Sequence, residues 1–250
     1  MIADARVLVG GALATKAARL VGPDEPVLIQ GPAPRYVSRG GEKLAGALER
    51  FALDVEGARC LDAGSSTGGF TDALLQAGAS SVVAVDVGRN QLHERLRDDP
   101  RVDSRERTDI RTIDRETLGG AVDVVVADLS FISTSRLVDV LVGALRDGGD
   151  LVVLVKPQFE AGREEVSRAR GVIRDAEIWR RVLDEACGAI EAGGTAIMDV
   201  MVSPLRGAEG NVEFLVHAVR VDDAALRRAR RAGGRSDLDA VVRTATEGTA

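Results

Sequence analysis

Apolar runs alternate with helical patterns from residue 59 to residue 156, and one of those runs leaves little freedom of fold. Val122-Asp123-Val124-Val125-Val126-Ala127 is apolar almost throughout. A strand with one wet face would alternate apolar and polar residues. A strand apolar on both faces belongs to a parallel sheet covered by helices on each side. The strand candidates are Arg59 to Asp62, Ser81 to Val87, Asp103 to Arg107, Val122 to Asp128, Leu151 to Lys156, Thr195 to Val202 and Val212 to Val219. The helix candidates are Phe70 to Ala77, Gln91 to Arg97, Ser135 to Arg146 and Asp175 to Glu191. Strands alternating with helices predict a doubly wound, Rossmann-like α/β domain with a seven-stranded, mostly parallel sheet. No helix separates the last two strands. The stretch Ser203 to Gly210 joins them, so the last strand is expected to run antiparallel.

The two ends of the chain read differently. Residues 1 to 34 are rich in Ala, Gly and Val and close on Gly31-Pro32-Ala33-Pro34, a linker pattern. From about Asp222 a tail carries Arg227, Arg228, Arg230 and Arg231, expected to be a short helix, a solvated face or a frayed end. A length of 250 residues suits one large domain, about 35 to 221, with these appendages. The apolar share of 45% supplies a core, and the aromatic share of 3% makes that core Val, Leu and Ala. Cys60 and Cys187 give no disulfide framework and are expected to be buried, while His93 and His217 stand alone, so no metal is expected. No run approaches the ~18 apolar residues of a membrane helix, and the N-terminus lacks the plan of a signal peptide. These absences predict a cytoplasmic chain with no membrane partner. The net charge of -6 weighs against nucleic acid on average, although local patches are what meet phosphates.

The first strand ends at Asp62 and a glycine-rich turn follows, Ala63-Gly64-Ser65-Ser66-Thr67-Gly68-Gly69-Phe70. Glycines 64, 68 and 69 let backbone approach a ligand without Cβ clashes. A ligand there sits outside the carboxyl ends of the strands, at the switch point of the sheet. The turn is neither G-x-G-x-x-G nor a P-loop, so neither a dinucleotide nor a nucleoside triphosphate is the first choice. Asp86, followed by Val87, ends the second strand, where a carboxylate can accept both hydroxyls of a ribose. Asp109, followed by Ile110, comes after the third, where a side chain can reach an adenine amino group. Asp128 ends the fourth.

Four residues point to the acceptor. Lys43 lies in Val37-Ser38-Arg39-Gly40-Gly41-Glu42-Lys43-Leu44, Asp128 in Ala127-Asp128-Leu129-Ser130-Phe131-Ile132-Ser133, Lys156 in Val155-Lys156-Pro157-Gln158-Phe159-Glu160, and Glu213 in Gly210-Asn211-Val212-Glu213. A lysine closing the apolar strand Leu151-Val152-Val153-Leu154-Val155 is costly unless its charge is met. The order Lys, Asp, Lys, Glu at these places resembles the tetrad of the RrmJ/FtsJ-type ribose 2′-O-methyltransferases. Together with Ser203-Pro204-Leu205 and the glycine turn, these segments resemble more closely the TlyA family of bacterial rRNA 2′-O-methyltransferases, once called haemolysin A, over about residues 35 to 220.

The resemblance implies S-adenosylmethionine as cofactor, held by the turn from Asp62 to Phe70 and by Asp86, Val87, Asp109, Ile110 and Asp128. It implies a cytidine ribose of 16S or 23S ribosomal RNA as acceptor and ribosomal subunits as partners. Lys156 is then the expected base, with Asp128 and Lys43 positioning the hydroxyl and Glu213 orienting a lysine. A lysine serves as base only if its pKa falls well below ~10.4, and a second lysine lowers it by repulsion. A fall of ~2 units corresponds to about 2.7 kcal/mol. The resemblance also implies an N-terminal S4-type RNA-binding module, of which residues 1 to 34 hold the latter half, in Ala5 to Gly11 and Lys16 to Ile29. That segment reads equally as one that packs on the core. Arg35, Arg39, Arg163, Arg168, Arg170 and Arg174 are expected near the active face, tracking phosphates, with Glu160 to Arg174 a mobile gripping loop. Two other readings stand beside the enzyme: a membrane-active haemolysin, and an RNA-binding assembly factor without catalysis.

Overall fold

The computed structural model describes residues 2, 6–31, 34–221 and 237–248. The chain divides into two compact units, Met1–Arg35 and Tyr36–Ala250.

The first unit holds a three-stranded antiparallel sheet, β1 (Val7–Val9), β2 (Ala12–Leu13) and β3 (Val27–Ile29), in the order β2-β1-β3. The hairpin between β1 and β2 turns on Gly10 and Gly11, both at positive φ, as a tight two-residue turn requires. Val7, Val9 and Ala14 form its small core.

In the second unit, helix α1 (Arg39–Arg50) precedes a seven-stranded sheet. Its strands are β4 (Arg59–Ala63), β5 (Ser81–Val85), β6 (Val102–Arg105), β7 (Val122–Ala127), β8 (Leu145–Val155), β9 (Thr195–Val202) and β10 (Phe214–Arg220). The order is β6-β5-β4-β7-β8-β10-β9. Neighbours are parallel except that β10 inserts antiparallel between β8 and β9, as the missing helix between the last strands predicts. The order reverses at β4 and β7, which opens a crevice at their carboxyl ends.

The apolar run in β7 serves two cores. Val125 and Ala127 face one, with Leu61, Val83, Leu151 and the helices α4 (Val138–Ala144) and α7 (Ala176–Ala192). Val124 and Val126 face the other, with Cys60, Val82, Val152, Leu154, α1 and α2 (Gly69–Gln76). Each fully buried Val stabilises the fold by roughly 1.5–3 kcal/mol, so both layers are held to this strand. Cys60 and Cys187 are buried, one in each core.

Several boundaries differ from the sequence expectation. Strand β8 begins at Leu145, not Leu151, with a register shift against β7 between Val122 and Val124, and α4 stops short at Ala144. Helix α3 covers only Glu94–Arg97: His93 caps it, its ring nitrogen accepting from the Arg95 amide, while the preceding amides of Asn90, Gln91 and Leu92 are tied to the Glu106 carboxylate. A single turn, α5 (Pro157–Glu160), follows Lys156, and the middle of the expected mobile loop from Glu160 to Arg174 is helix α6 (Arg163–Arg168), whose Glu165 is gripped by Arg181 on α7 at 2.7 Å. At the far end α8 (Leu238–Glu247) buries Leu238, Val242 and Ala245 in the core beside α7, a packed face and not a solvated one. Arg227, Arg228, Arg230 and Arg231 lie outside the described residues.

Candidate active site

The glycine turn is laced to both neighbouring strands. The amides of Gly64 and Ser65 donate to the Val85 carbonyl, and the Asp128 amide donates to the Ala63 carbonyl. Gly64 sits at φ +85°, and a Cβ there would lie 2.6 Å from the Asp128 carbonyl oxygen, so no other residue fits. Gly69 likewise abuts the start of α1, where a Cβ would meet the Ser38 hydroxyl and the Gly41 amide. The loop is thus pinned at three points before any ligand enters.

Two hollows meet on this loop. The first, about 350 Å³, is lined by Gly64, Ser66, Val85, Asp86, Val87, Gln91, Thr108, Ile110, Asp128, Leu129, Ser130 and Phe131. Asp86 accepts from the amides of Ser66 at 2.9 Å and Gly88 at 2.6 Å. Each of its oxygens keeps acceptor capacity for a diol. Val87, Ile110 and Leu129 give apolar walls suited to a flat base. The second hollow, about 230 Å³, is lined by Ser38, Arg39, Gly40, Lys43, Gly64, Ser65, Ser66, Thr67, Gly69, Phe70, Asp128, Ser130, Lys156 and Ala208. Gly64, Ser66, Asp128 and Ser130 belong to both and mark the junction. A carboxylate over a glycine loop, beside an apolar slot that opens toward a lysine, fits an adenosyl group with its reactive end at the junction.

The four residues singled out by the sequence form two ion pairs. Lys156, at the end of β8, lies 2.5 Å from Asp128 Oδ1 and donates to the Ser130 hydroxyl at 3.0 Å. Lys43, on α1, lies 2.5 Å from Glu213, just before β10. Lys43 and Glu213 are 8% and 3% exposed, so each charge depends on the other. Gly207 packs on the Glu213 carboxylate, where a Cβ would sit 2.6 Å from it. Lys43, Asp128 and Lys156 stand on the wall of the second hollow, and Glu213 stands behind Lys43. The fold gives each lysine its own carboxylate, Asp128 for Lys156 and Glu213 for Lys43.

Other expected contacts fall differently. Asp109 does not face the first hollow, whose wall is Thr108 and Ile110. Its carboxylate caps the turn at Ile110–Thr112 and is gripped by the Arg111 guanidinium, which holds its pKa down at about 2. Asp62 lies under the loop, fully buried, accepting from the Thr71 hydroxyl at 2.6 Å. Burial pushes its pKa up to about 7; the Thr71 hydrogen bond opposes this, and the charges of Asp128 and Asp86 add to it. Gly68, at φ +94°, turns the chain into α2 against Leu92 and Leu96 and lines neither hollow. Of the arginines, Arg39 lines the second hollow and donates to the Arg206 carbonyl at 2.5 Å. Arg168, Arg170 and Arg174 line a separate groove of about 820 Å³ with Ile178 and Arg181 of α7. Arg163 is exposed at the start of α6, and Arg35 is exposed at the end of the first unit. Sequence reasoning gave Ser130, Gln91 and Leu129 no role; their spacing from Asp128 and Asp86 was visible, but not which way the loops turn.

A sheet in this strand order, with a glycine loop and strand-end carboxylates at its switch point, is a Rossmann-like methyltransferase fold. Residues 36–220 match the family model described as FtsJ-like methyltransferase, and the chain belongs to that family. Over 250 residues it is 45% identical to the 16S/23S rRNA (cytidine-2′-O)-methyltransferase TlyA of Mycobacterium tuberculosis, covering 99% of this chain and 90% of that one. A hemolysin-named protein of Streptococcus thermophilus superposes with a TM-score of 0.83 at 36% identity, covering 98% of this chain and 88% of the other. An S-adenosylmethionine-dependent methyltransferase of Mesorhizobium loti shares the fold, with a TM-score of 0.51 at 18% identity over 70% of this chain and 96% of its own.

Proposed function

We propose that this chain methylates the 2′-hydroxyl of a ribose in ribosomal RNA, a cytidine in 16S or 23S RNA, using S-adenosylmethionine. The observation that carries the reading is the junction of the two hollows, where Lys156, Asp128 and Ser130 converge beside Gly64 and Ser66. S-adenosylmethionine supplies an activated methyl group on a sulfonium. The first hollow holds its adenosyl end, with Asp86 on the ribose, Val87 and Ile110 along the base, and Gly64 to Phe70 along the remainder. Asp62, Gly68 and Asp109 support this site from outside its walls.

The acceptor hydroxyl enters from the second hollow. It is a poor nucleophile and must lose its proton as the methyl moves. Lys156, once it has shed its own proton to solvent, takes the hydroxyl's proton, and Asp128 at 2.5 Å stabilises the ammonium that re-forms. Lys43, on the wall of the same hollow, orients the hydroxyl, and Glu213 fixes Lys43 in place. Arg39 meets RNA phosphate at the rim, with Arg35, Arg163 and Arg170 as further contacts. Residues 1 to 34 serve as a reduced S4-like RNA-binding segment and residues 222 to 250 as a C-terminal appendage. A ribosomal substrate implies action in the cytoplasm. Among the described residues no helix is long and apolar enough to cross a membrane.

The test is transfer of tritiated methyl from S-adenosylmethionine to isolated 30S and 50S subunits and to naked RNA, by the wild type and by Lys156→Ala. We expect 2′-O-methylcytidine in the wild-type product and loss of it in the variant. Full activity in Lys156→Ala removes the lysine from the chemistry. Lysis of cells without methyl transfer would favour a membrane-active protein, and subunit binding without transfer an assembly factor.

A further inference from the structure

The sheet ladder does not reach the reacting groups. Strands β7 and β8 pair as far as Ala127 with Val153, and Asp128, Ser130 and Lys156 all lie beyond that last pair. The segment from Asp128 to Ser133 has no regular structure, and Phe131 within it sits at φ +65°. Strand pairing sets where Asp128 leaves the sheet, but the course of the loop beyond it, through Ser130, must be held by other contacts.

We infer that Glu160 is a positioning residue that clamps the Asp128 loop to the strand end carrying Lys156. Glu160 ends α5, the single turn that begins directly after Lys156. Its Oε1 accepts from the Thr134 amide at 2.8 Å and the Thr134 hydroxyl at 2.6 Å, and its Oε2 accepts from the Ser133 hydroxyl at 2.5 Å. Three bonds from one half-buried carboxylate therefore tie the far end of the loop to the turn that carries Lys156. The near end is tied by the Asp128 amide to the Ala63 carbonyl. Between the ties, the Phe131 ring packs on the Phe159 ring at 4.8 Å. Glu160 lines neither hollow, so it acts through Asp128, Ser130 and Lys156 and not on a substrate.

The donors to Glu160 are all neutral, which makes its role one of geometry and not of charge. A glutamine keeps the clamp: its amide oxygen accepts from Thr134, and its amide nitrogen donates to the Ser133 oxygen. The Ser133 hydroxyl can then turn its proton to Ser135 Oγ, 2.9 Å away. An alanine removes all three bonds. Misplacing a reacting group by about 1 Å can cost about 10²-fold in rate.

The inference rests on the methyl-transfer reading, and its test separates the two. Glu160→Ala and Glu160→Gln are compared with the wild type by kcat, by the Kd for S-adenosylmethionine, and by amide hydrogen exchange of the peptide spanning residues 128 to 135. We expect kcat to fall about 10²-fold in Glu160→Ala, with faster exchange in that peptide and a weaker Kd, since Asp128 to Phe131 also wall the first hollow, and all three readouts to return close to wild type in Glu160→Gln. Exchange unchanged in Glu160→Ala, a wild-type kcat in that variant, or a Glu160→Gln as poor as Glu160→Ala would each overturn the clamp. A wild type that methylates no ribose defeats the proposed function instead, and the exchange measurement still decides the clamp.

Discussion

Asp62 turns the cofactor loop into a measurable pH dependence. It is fully buried in β4, its Oδ2 accepts from Thr71, and its Oδ1 has no hydrogen-bond partner among the described residues. Burial raises its pKa from an ordinary 3.8 to about 7. Below 3.8 the folded and unfolded states both hold the proton, and the group has no effect on stability. Between 3.8 and about 7 the unfolded chain is ionised and the folded one is not, so stability falls as pH rises. Above about 7 the loss is complete, and at about 1.36 kcal/mol per unit it amounts to about 4 kcal/mol. Asp62→Asn keeps the shape and the bond from Thr71 but cannot ionise. The assay is urea unfolding of the full chain, followed by the fluorescence of the single Trp, Trp179, which lies in the core of the second unit. From pH 5 to pH 8 the advantage of Asp62→Asn over the wild type should grow by roughly 3 kcal/mol, for the roughly two pH units below the raised pKa. An equal difference at both pH values would refute the neutral buried carboxyl.

Three further perturbations, two of them with a control variant, test the site. Asp86→Ala should weaken S-adenosylmethionine binding by at least about tenfold, through a lost charged hydrogen bond of ~1.5–3 kcal/mol; Asp109→Ala, whose carboxylate is turned to Arg111, should change it by less than about threefold, both read by calorimetry. Glu213→Ala leaves Lys43 buried and unpaired, so it should lose about 3–5 kcal/mol in denaturant unfolding together with most of its methyl transfer, and unchanged unfolding would show that Lys43 escapes to water. Gly64→Ala sets a methyl group against the Asp128 carbonyl at a strained φ, and it should abolish cofactor binding while Gly57→Ala, a positive-φ site with open space around it, should not; equilibrium dialysis decides between them.

The elements legible in the sequence are those fixed by burial. Val122 to Ala127 announced a strand covered on both faces, and Thr195–Val202 has the expected bounds, because apolar periodicity follows from packing. The elements that were misread are set by single side-chain contacts between distant segments. Glu106 ties down the amides of residues 90–92, and α3 starts only after the His93 cap. The tail's amphipathic spacing of Leu238, Val242 and Ala245 was present but sat beside an Arg-rich stretch that drew the reading toward solvent. In the site, the identities of Lys43, Asp128, Lys156 and Glu213 came through resemblance. Which lysine meets which carboxylate did not, since Lys43 and Glu213 are 170 residues apart and are brought together by the insertion of β10 beside β8.

That pairing also resolves the apparent conflict between an acidic chain and an RNA substrate. The net charge is -6, yet the charged side chains on the wall of the second hollow are Arg39, Lys43 and Lys156 against Asp128 alone. Glu213 sits behind Lys43, buried, so its charge neutralises the lysine and is not presented to an incoming phosphate. Of the wall cations, Arg39 at the rim is thus the one not matched to a carboxylate at the site, and its contact is a backbone carbonyl. Salt screens charges farther than about 8 Å at physiological ionic strength, so the distant acidic surface counts for little at that rim. Arg39→Ala should therefore lower the affinity for RNA and flatten its salt dependence by about one phosphate contact, while leaving S-adenosylmethionine binding intact. A filter-binding series from low to high salt reads this, and an unchanged slope would place the phosphate contacts elsewhere, with the Arg168, Arg170 and Arg174 groove the next surface to mutate.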